Sequence, residues 1–258
     1  MRPKFLLRAG ALLAGVMTLV GCGPAVQTAS RASDPAIRVV TSGSCPREQA
    51  LVRRALDRST IRADVNGDGR IDRVAVAWDF GAPKPCRAFV AVRVQGGATY
   101  STHLIPNAAP IKGLQPEVVG LPRLGNGRRA QVVVDTKAAV DAQVAQMFTL
   151  AGGRLRPVDV PGYPDHAFIV QGGGVIYPHA AACTADHRMV LSNAAQTKDG
   201  KSYRVTRRTY DVRGQQARLV DPVVEHATVP VTLLLKRFPE FAGPHWTACG
   251  GAVKLGSA

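Results

Sequence analysis

The sequence predicts a mainly β protein with antiparallel sheets, and three observations support this prediction. The 258 residues include 26 Gly and 18 Pro, which leave little room for long uninterrupted helices. The apolar fraction of 46% is high enough to form a core, so a disordered chain is excluded. Short runs rich in branched and aromatic residues recur between clusters of Gly, Pro and Asn, which is the pattern of strands joined by turns.

The first 22 residues carry the pattern of an export signal. Three basic residues lie in 1–8, and the apolar run 9–20 has about 12 residues, the length of a signal sequence rather than of a membrane span. The run ends at Leu19-Val20-Gly21-Cys22, and this stretch resembles the signal of bacterial lipoproteins. The resemblance implies that residues 1–21 are removed, that Cys22 carries acyl chains such as palmitate, and that the protein is anchored at the extracytoplasmic face of the cell membrane.

Residues 22–40 are small, polar and interrupted by Pro, which predicts a flexible tether before a single domain at 41–258. Three of the 33 basic residues lie in the signal, so 30 basic and 18 acidic residues remain, a net charge of +12. This charge favours anionic lipid headgroups or acidic wall polymers as partners. Nucleic acid is not expected as a partner of an exported protein.

Four cysteines follow Cys22, and an even number in an oxidising compartment indicates disulfide bonds: Cys45, Cys86, Cys183 and Cys249. Four cysteines allow three pairings, and the sequence does not choose among them. We favour Cys45–Cys86 and Cys183–Cys249 because each pair lies within one half of the chain. A zinc site at His179, Cys183 and His187 is the alternative, but its spacing is not a standard zinc pattern and no CxxC accompanies it.

One short helix and a series of strands are predicted after the tether. Residues 46–58 place Leu51, Val52, Ala55 and Leu56 at helical spacing after Pro46. Apolar runs bounded by turn residues predict strands at 71–79, 88–95, 130–136, 144–150, 188–196, 202–212, 217–220 and 231–235. A turn at 213–215 joins two of these strands as a hairpin.

The segment 64–72, DVNGDGRID, has the pattern of a cation-binding loop. Oxygen-bearing side chains stand at its positions 1, 3, 5 and 9, namely Asp64, Asn66, Asp68 and Asp72. Gly69 permits a sharp turn, and the carbonyl of Arg70 is a further candidate ligand. Such alternation suits Ca²⁺, which takes six to eight oxygen ligands at about 2.3–2.6 Å. An EF-hand is excluded because Ala75 stands where its bidentate Glu is required, and an Asx-rich turn without metal is the alternative.

Residues 64–78, DVNGDGRIDRVAVAW, resemble the FG-GAP/VCBS repeat of integrin-like β-propellers, in which such a loop leads directly into a strand. The resemblance implies one structural Ca²⁺ with side-chain ligands Asp64, Asn66, Asp68 and Asp72 and the carbonyl of Arg70. Residues 125–134 repeat 67–76 at an offset of 58 residues. That copy has no metal ligands, because the corresponding positions hold Pro122, Leu124, Asn126 and Ala130. A propeller-like or partial propeller fold is therefore expected.

Catalytic signatures are missing from the sequence. We find no GxSxG, HExxH, P-loop or dinucleotide-binding pattern, so no enzymatic activity is predicted. The expected function is that of a membrane-anchored, non-enzymatic module that contacts a protein partner or the cell envelope. The alternative is a binding protein for cell-wall carbohydrate or an anionic polymer.

Overall fold

A computed structural model describes residues 39–40, 45–104, 111, 113–220, 225–243 and 246–250. These residues form two sheets, of five and ten strands, and two short helices. All but one of the strand pairings are antiparallel, so the prediction of a mainly β, antiparallel fold is confirmed. Neither helix in the described ranges is long and apolar enough to cross a membrane.

The first sheet contains β1 (Val39–Val40), β2 (Arg62–Ala63), β3 (Asp72–Trp78), β4 (Ala88–Arg93) and β5 (Thr99–His103), in the order β1-β5-β4-β3-β2. Strands β2 to β5 form an antiparallel meander. Strand β1 pairs with β5 in parallel, Val39 opposite Thr99. The last two residues of the predicted tether therefore belong to a strand, because the edge of β5 offers them backbone partners.

The predicted helix is α1 (Glu48–Arg58). Its buried residues Val52 and Leu56 lie four positions apart, on one face of the helix. They pack against Ala75, Ala77 and Phe89 on one face of the first sheet. The opposite face of β3 and β4 is also buried, which explains why both strands consist almost entirely of apolar residues.

The second sheet has the order β14-β13-β12-β11-β10-β8-β7-β6, with β9 paired to β8 and β15 paired to β13. Its strands are β6 (Glu117–Gly120), β7 (Val132–Asp135), β8 (Ala142–Ala151), β9 (Arg154–Pro157), β10 (Ala167–Gly172), β11 (His179–Cys183), β12 (Met189–Gln196), β13 (Ser202–Arg213), β14 (Gln216–Leu219) and β15 (Glu225–Pro230). Two strands are long enough to pair with two others along one edge. Strand β8 pairs with β9 and β10, and β13 pairs with β14 and β15.

Three four-stranded antiparallel meanders follow one another along the chain: β2–β5, β6–β9 and β11–β14. The second meander is buried on both faces, because its side chains alternate between two clusters. Val132, Val134 and Phe148 pack with the apolar face of β3 and β4. Val133 and Met147 pack instead with residues of β11, β12 and β13. The hydrophobic core therefore lies in layers between successive meanders.

One predicted strand is wrong. Residues 231–235 form a 3₁₀ turn, Val231–Leu233, followed by the short helix α2 (Leu234–Arg237). Leu234 and Phe238, four residues apart, are buried against Tyr203 and Val205 of β13. Spacing of four residues is helical, and the neighbouring apolar side chains are exposed. The unbroken apolar run therefore does not reflect a buried strand.

The cysteines pair as favoured from the sequence. Cys45–Cys86 joins the residues before α1 to the turn before β4, with 5.5 Å between Cα atoms. Cys183–Cys249 joins the end of β11 to the turn Thr247–Cys249, with 6.0 Å between Cα atoms. Both distances are ordinary for disulfides. The zinc alternative fails because Cys183 is consumed by a disulfide.

Candidate metal-binding loop

The predicted cation loop, 64–72, connects β2 to β3 in the first meander. Gly67 and Gly69 have φ values of +79° and +82°, and these conformations explain why the tight turn needs glycine at both positions. The predicted ligands Asp64 and Asp72 are buried, Asn66 is half-buried, and Asp68 and Arg70 are exposed. The loop therefore has a buried base and an exposed tip.

Three side chains of the loop accept hydrogen bonds from the loop's own backbone. The Asp64 carboxylate accepts the N–H groups of Gly67 and Gly69 at 2.7 and 2.9 Å. Asn66 Oδ1 accepts the N–H of Asp68 at 2.9 Å, and Asp68 Oδ1 accepts the N–H of Arg70 at 2.8 Å. A further bond from Asn66 Nδ2 to Asp68 Oδ2, at 3.0 Å, holds the pKa of Asp68 below its usual range. Asp68 is therefore ionised at neutral pH.

At the base, Asp72 joins three parts of the first sheet. Its Oδ2 accepts the N–H groups of Val65 and Asn66 at 2.9 and 3.3 Å, and its Oδ1 accepts the N–H of Gln95 at 3.1 Å. Burial raises the pKa of the Asp72 carboxyl, and these three hydrogen bonds oppose that rise. Asp72 thus ties the start of β3 both to its own loop and to the turn that follows β4.

The oxygen atoms of the loop are of the kind that a hard cation prefers, but many of their lone pairs already accept hydrogen bonds. An ionised carboxylate offers about four lone-pair sites, so Asp64 and Asp68 each retain acceptor capacity beyond their present bonds. Asp72 has the least to spare because it already accepts three N–H groups. In the part of the chain that the structure describes, no three or more His, Cys, Asp or Glu side chains are grouped so that they could hold a metal ion.

The second copy repeats the turn without the acidic side chains. Gly125 and Gly127 have φ values of +70° and +67°, like the two glycines 58 residues earlier. Asn126 Oδ1 accepts the N–H of Arg128 at 3.2 Å, which reproduces the bond from Arg70 to Asp68. The other three ligand positions hold buried side chains, namely Pro122, Leu124 and Ala130. This copy is therefore an Asx turn that packs into the core.

A third turn of the same kind was missed from the sequence. Asp186-His187-Arg188 joins β11 to β12, just as the other two turns join the first and second strands of their meanders. His187 has a φ of +63°, where the other turns have glycine. Its N–H donates to the Thr184 carbonyl at 3.0 Å, as Gly127 donates to Leu124 at 3.5 Å. The three turns share a sequence pattern, an Asp or Asn two positions before an Arg. The third copy was not recognised because His187 stands where the other two have Gly.

The three turns contact one another in series. The N–H of Ala130 donates to the Asp64 carbonyl at 2.8 Å, which links the first turn to the second. The N–H of Gly125 donates to the His187 carbonyl at 2.8 Å, and His187 Nδ1 lies 2.7 Å from the Arg123 carbonyl. The predicted cation loop is therefore the first member of a hydrogen-bonded row of turns.

The predicted signal, lipidated Cys22 and most of the tether lie outside the described residues. The chain matches no protein-family model, no curated protein and no solved structure.

Proposed function

We propose that this protein is an exported, lipid-anchored, non-enzymatic module of the cell envelope. The observation that carries the proposal is the pairing of four of the five cysteines in two disulfides within the folded body. Disulfides persist in oxidising compartments and are rare in the cytosol. They leave Cys22, at the end of the signal pattern, as the cysteine available for acylation.

The anchor is tested by Cys22→Ala in the native host. The wild-type protein should partition into the detergent phase of a Triton X-114 extract, because two or more acyl chains give stable membrane attachment. The variant should lose this partition. Equal recovery of both proteins from the aqueous phase would refute the anchor.

We also propose that the loop 64–72 holds one structural Ca²⁺. Asn66 and Asp68 at the tip and the buried Asp64 would provide side-chain oxygens, and the carbonyl of Arg70 is a further ligand in the set that the FG-GAP resemblance implies. Asp72 would act mainly by holding the loop against β3, because three backbone N–H groups already engage it. When bound, the ion would neutralise the carboxylates of Asp64 and Asp68 and crosslink them.

Thermal unfolding with and without Ca²⁺ tests this site. Ca²⁺ at 100 times its Kd should add about 2.7 kcal/mol to the free energy of unfolding of the wild-type protein. Asp68→Ala should keep the fold, because the side chain is exposed, and should lose the response to Ca²⁺. Asp199→Ala is the matched control, since Asp199 is also exposed and also caps a turn, through Thr197 and Lys201. An Asp68→Ala response equal to that of the wild type would refute the site.

We further propose that the three meanders are blades of a partial propeller. The layered core and the row of equivalent turns support this arrangement. A crystal structure in which the three turns surround one axis would support the proposal. Meanders stacked without a common axis would refute it.

A further inference from the structure

We propose that a cavity on the third meander binds an anionic, hydroxyl-rich ligand, such as an acidic sugar unit of an envelope polymer. The cavity has a volume of about 470 Å³ and lies on one face of β11, β12, β13 and β15. This inference goes beyond the proposed function, because it assigns the module a ligand and a site.

Strand register builds the floor of this cavity from two rows of side chains. The first row runs straight across four strands, through directly paired residues: His179, Asn193, Thr206 and His226. The second row lies two residues further along the strands, where Ala195 pairs with Arg204. Tyr177 lies beside Ala195 on the side away from Arg204. The carbonyls of its neighbours Ile176 and Pro178 accept N–H groups of β12 at 2.9 Å, and these two bonds place Tyr177 opposite Ala195.

The second row forms a slot. Ala195 lies between Tyr177 and Arg204, and adjacent strands are about 4.8 Å apart, so the backbones of the two larger residues are separated by about 10 Å. The small side chain of Ala195 leaves the space between them open. An aromatic ring on one wall and a guanidinium on the other suit a ring-shaped ligand that carries a negative charge.

The charges around the slot favour an anion. Arg204 is exposed, and its partners in register are Ala195 and Thr228, neither of which is charged. Among the residues that the structure describes, no acidic side chain lines the cavity. Burial lowers the pKa of His179, so this ring is neutral at physiological pH and the fixed charge of the cavity resides on Arg204.

The first row requires a hydrogen-bond donor from the ligand. Asn193 Oδ1 is buried and accepts no hydrogen bond from any described residue. An unpaired buried oxygen carries a free-energy cost, and a rotation of the Asn193 amide towards the cavity would let a ligand hydroxyl remove it. The Thr206 hydroxyl and the His226 ring, 3.4 Å apart, provide further polar groups on the same floor. A ligand with both a negative charge and hydroxyl groups therefore satisfies both rows.

Titration calorimetry on the detergent-solubilised, full-length protein tests the site with three probes. Tetragalacturonate carries carboxylates, a glycerol phosphate tetramer carries phosphodiesters, and a galactose tetramer is the neutral comparison. Saturable binding of either anionic probe, with weaker binding of the neutral one, is expected, and the stronger anion identifies the polymer class. Failure of both anions to bind, or equal binding of the neutral tetramer, would overturn the proposal.

Three variants separate binding in the slot from general electrostatic attraction to a basic protein. Arg204→Ala should weaken binding of the anionic probe by at least about tenfold. Arg213→Ala removes the same charge from the other end of β13, where the side chain is 78% exposed, and should change affinity by less than about twofold. Ala195→Leu should abolish binding while Arg204 remains, since it fills the slot. Equal losses in the two arginine variants would show non-specific electrostatic attraction and refute the slot.

Discussion

Among single residues, Asp72 does most to position the start of β3. It is fully buried, yet its carboxylate accepts three backbone N–H groups, two from its own loop and one from Gln95. Such bonds to a carboxylate are stronger than bonds between neutral groups. Asp72 therefore orders the loop through its own hydrogen bonds, and any bound Ca²⁺ would add to them.

Replacing Asp72 by Asn tests this role. The new NH₂ group would face a backbone N–H where an acceptor is required, so one backbone donor would lose its partner. We expect a loss of about 1–3 kcal/mol in the free energy of unfolding, measured by denaturant titration without Ca²⁺. Asp199→Asn, at an exposed turn, should change stability by less than about 0.5 kcal/mol. If the two variants proved equally stable, Asp72 would not hold the loop.

The individual side chains of the loop were predictable from the sequence, but their partners were not. Alternating oxygen-bearing residues identified Asp64, Asn66, Asp68 and Asp72 as a set, because alternation reflects the local geometry of a turn. Nothing local reveals that Asp72 also receives the N–H of Gln95, which lies 23 residues away. The slot between Tyr177 and Arg204 was hidden for the same reason, since it depends on how β12 pairs with β13 and with the residues before β11.

The repeated turns bring successive meanders into contact, because each turn hydrogen-bonds to the next. Two glycines at equivalent positions of these turns have different surroundings. Gly69 and Gly127 occupy equivalent positions with positive φ. A Cβ at Gly69 would meet no atom within 4 Å, whereas a Cβ at Gly127 would lie 2.8 Å from His187 Nε2. The second and third turns are therefore in closer contact than either sequence motif indicates.

Alanine at these two positions should separate backbone strain from crowding. Gly69→Ala should cost about 1–2 kcal/mol, the backbone penalty of a left-handed conformation. Gly127→Ala should lower the free energy of unfolding by more, because a clash with the His187 ring adds to the same backbone penalty. In a His187→Ala background the excess should disappear, as a double-mutant cycle in denaturant would measure. Equal costs in the wild-type background would mean that the two turns do not press on each other.

Apolar runs predicted several strands correctly, but β10 (AFIVQG) is apolar and was missed, whereas the polar-rich β13 was predicted. The residues of β3, β4 and β7 form mostly buried, mostly apolar runs, and all three strands were predicted. Strands β5 (TYSTH) and β11 (HAAAC) contain mainly small or polar residues and gain their order from paired neighbours. The strand predicted at 231–235 was wrong because its run of apolar residues is mostly exposed, and an exposed apolar run cannot be told from a buried strand by sequence.

For the whole molecule, layers of core between meanders and two disulfides account for the architecture. Cys45–Cys86 closes the first meander against α1, and Cys183–Cys249 fixes the C-terminal turn to the third meander. Each bond constrains the unfolded chain over a separation of 41 or 66 residues, which stabilises the fold by a few kcal/mol in the chain-entropy treatment. This architecture suits a body that lies outside the cytoplasm.

Intact-mass spectrometry of the unreduced protein from fractionated native cells tests the central claim most directly. We expect the protein in the membrane fraction, with a mass that corresponds to a chain beginning at Cys22, carrying acyl groups, and lacking four hydrogens because of its two disulfides. A cytosolic protein that begins at Met1 and carries five free thiols would contradict the export, the anchor and the disulfide-closed body together.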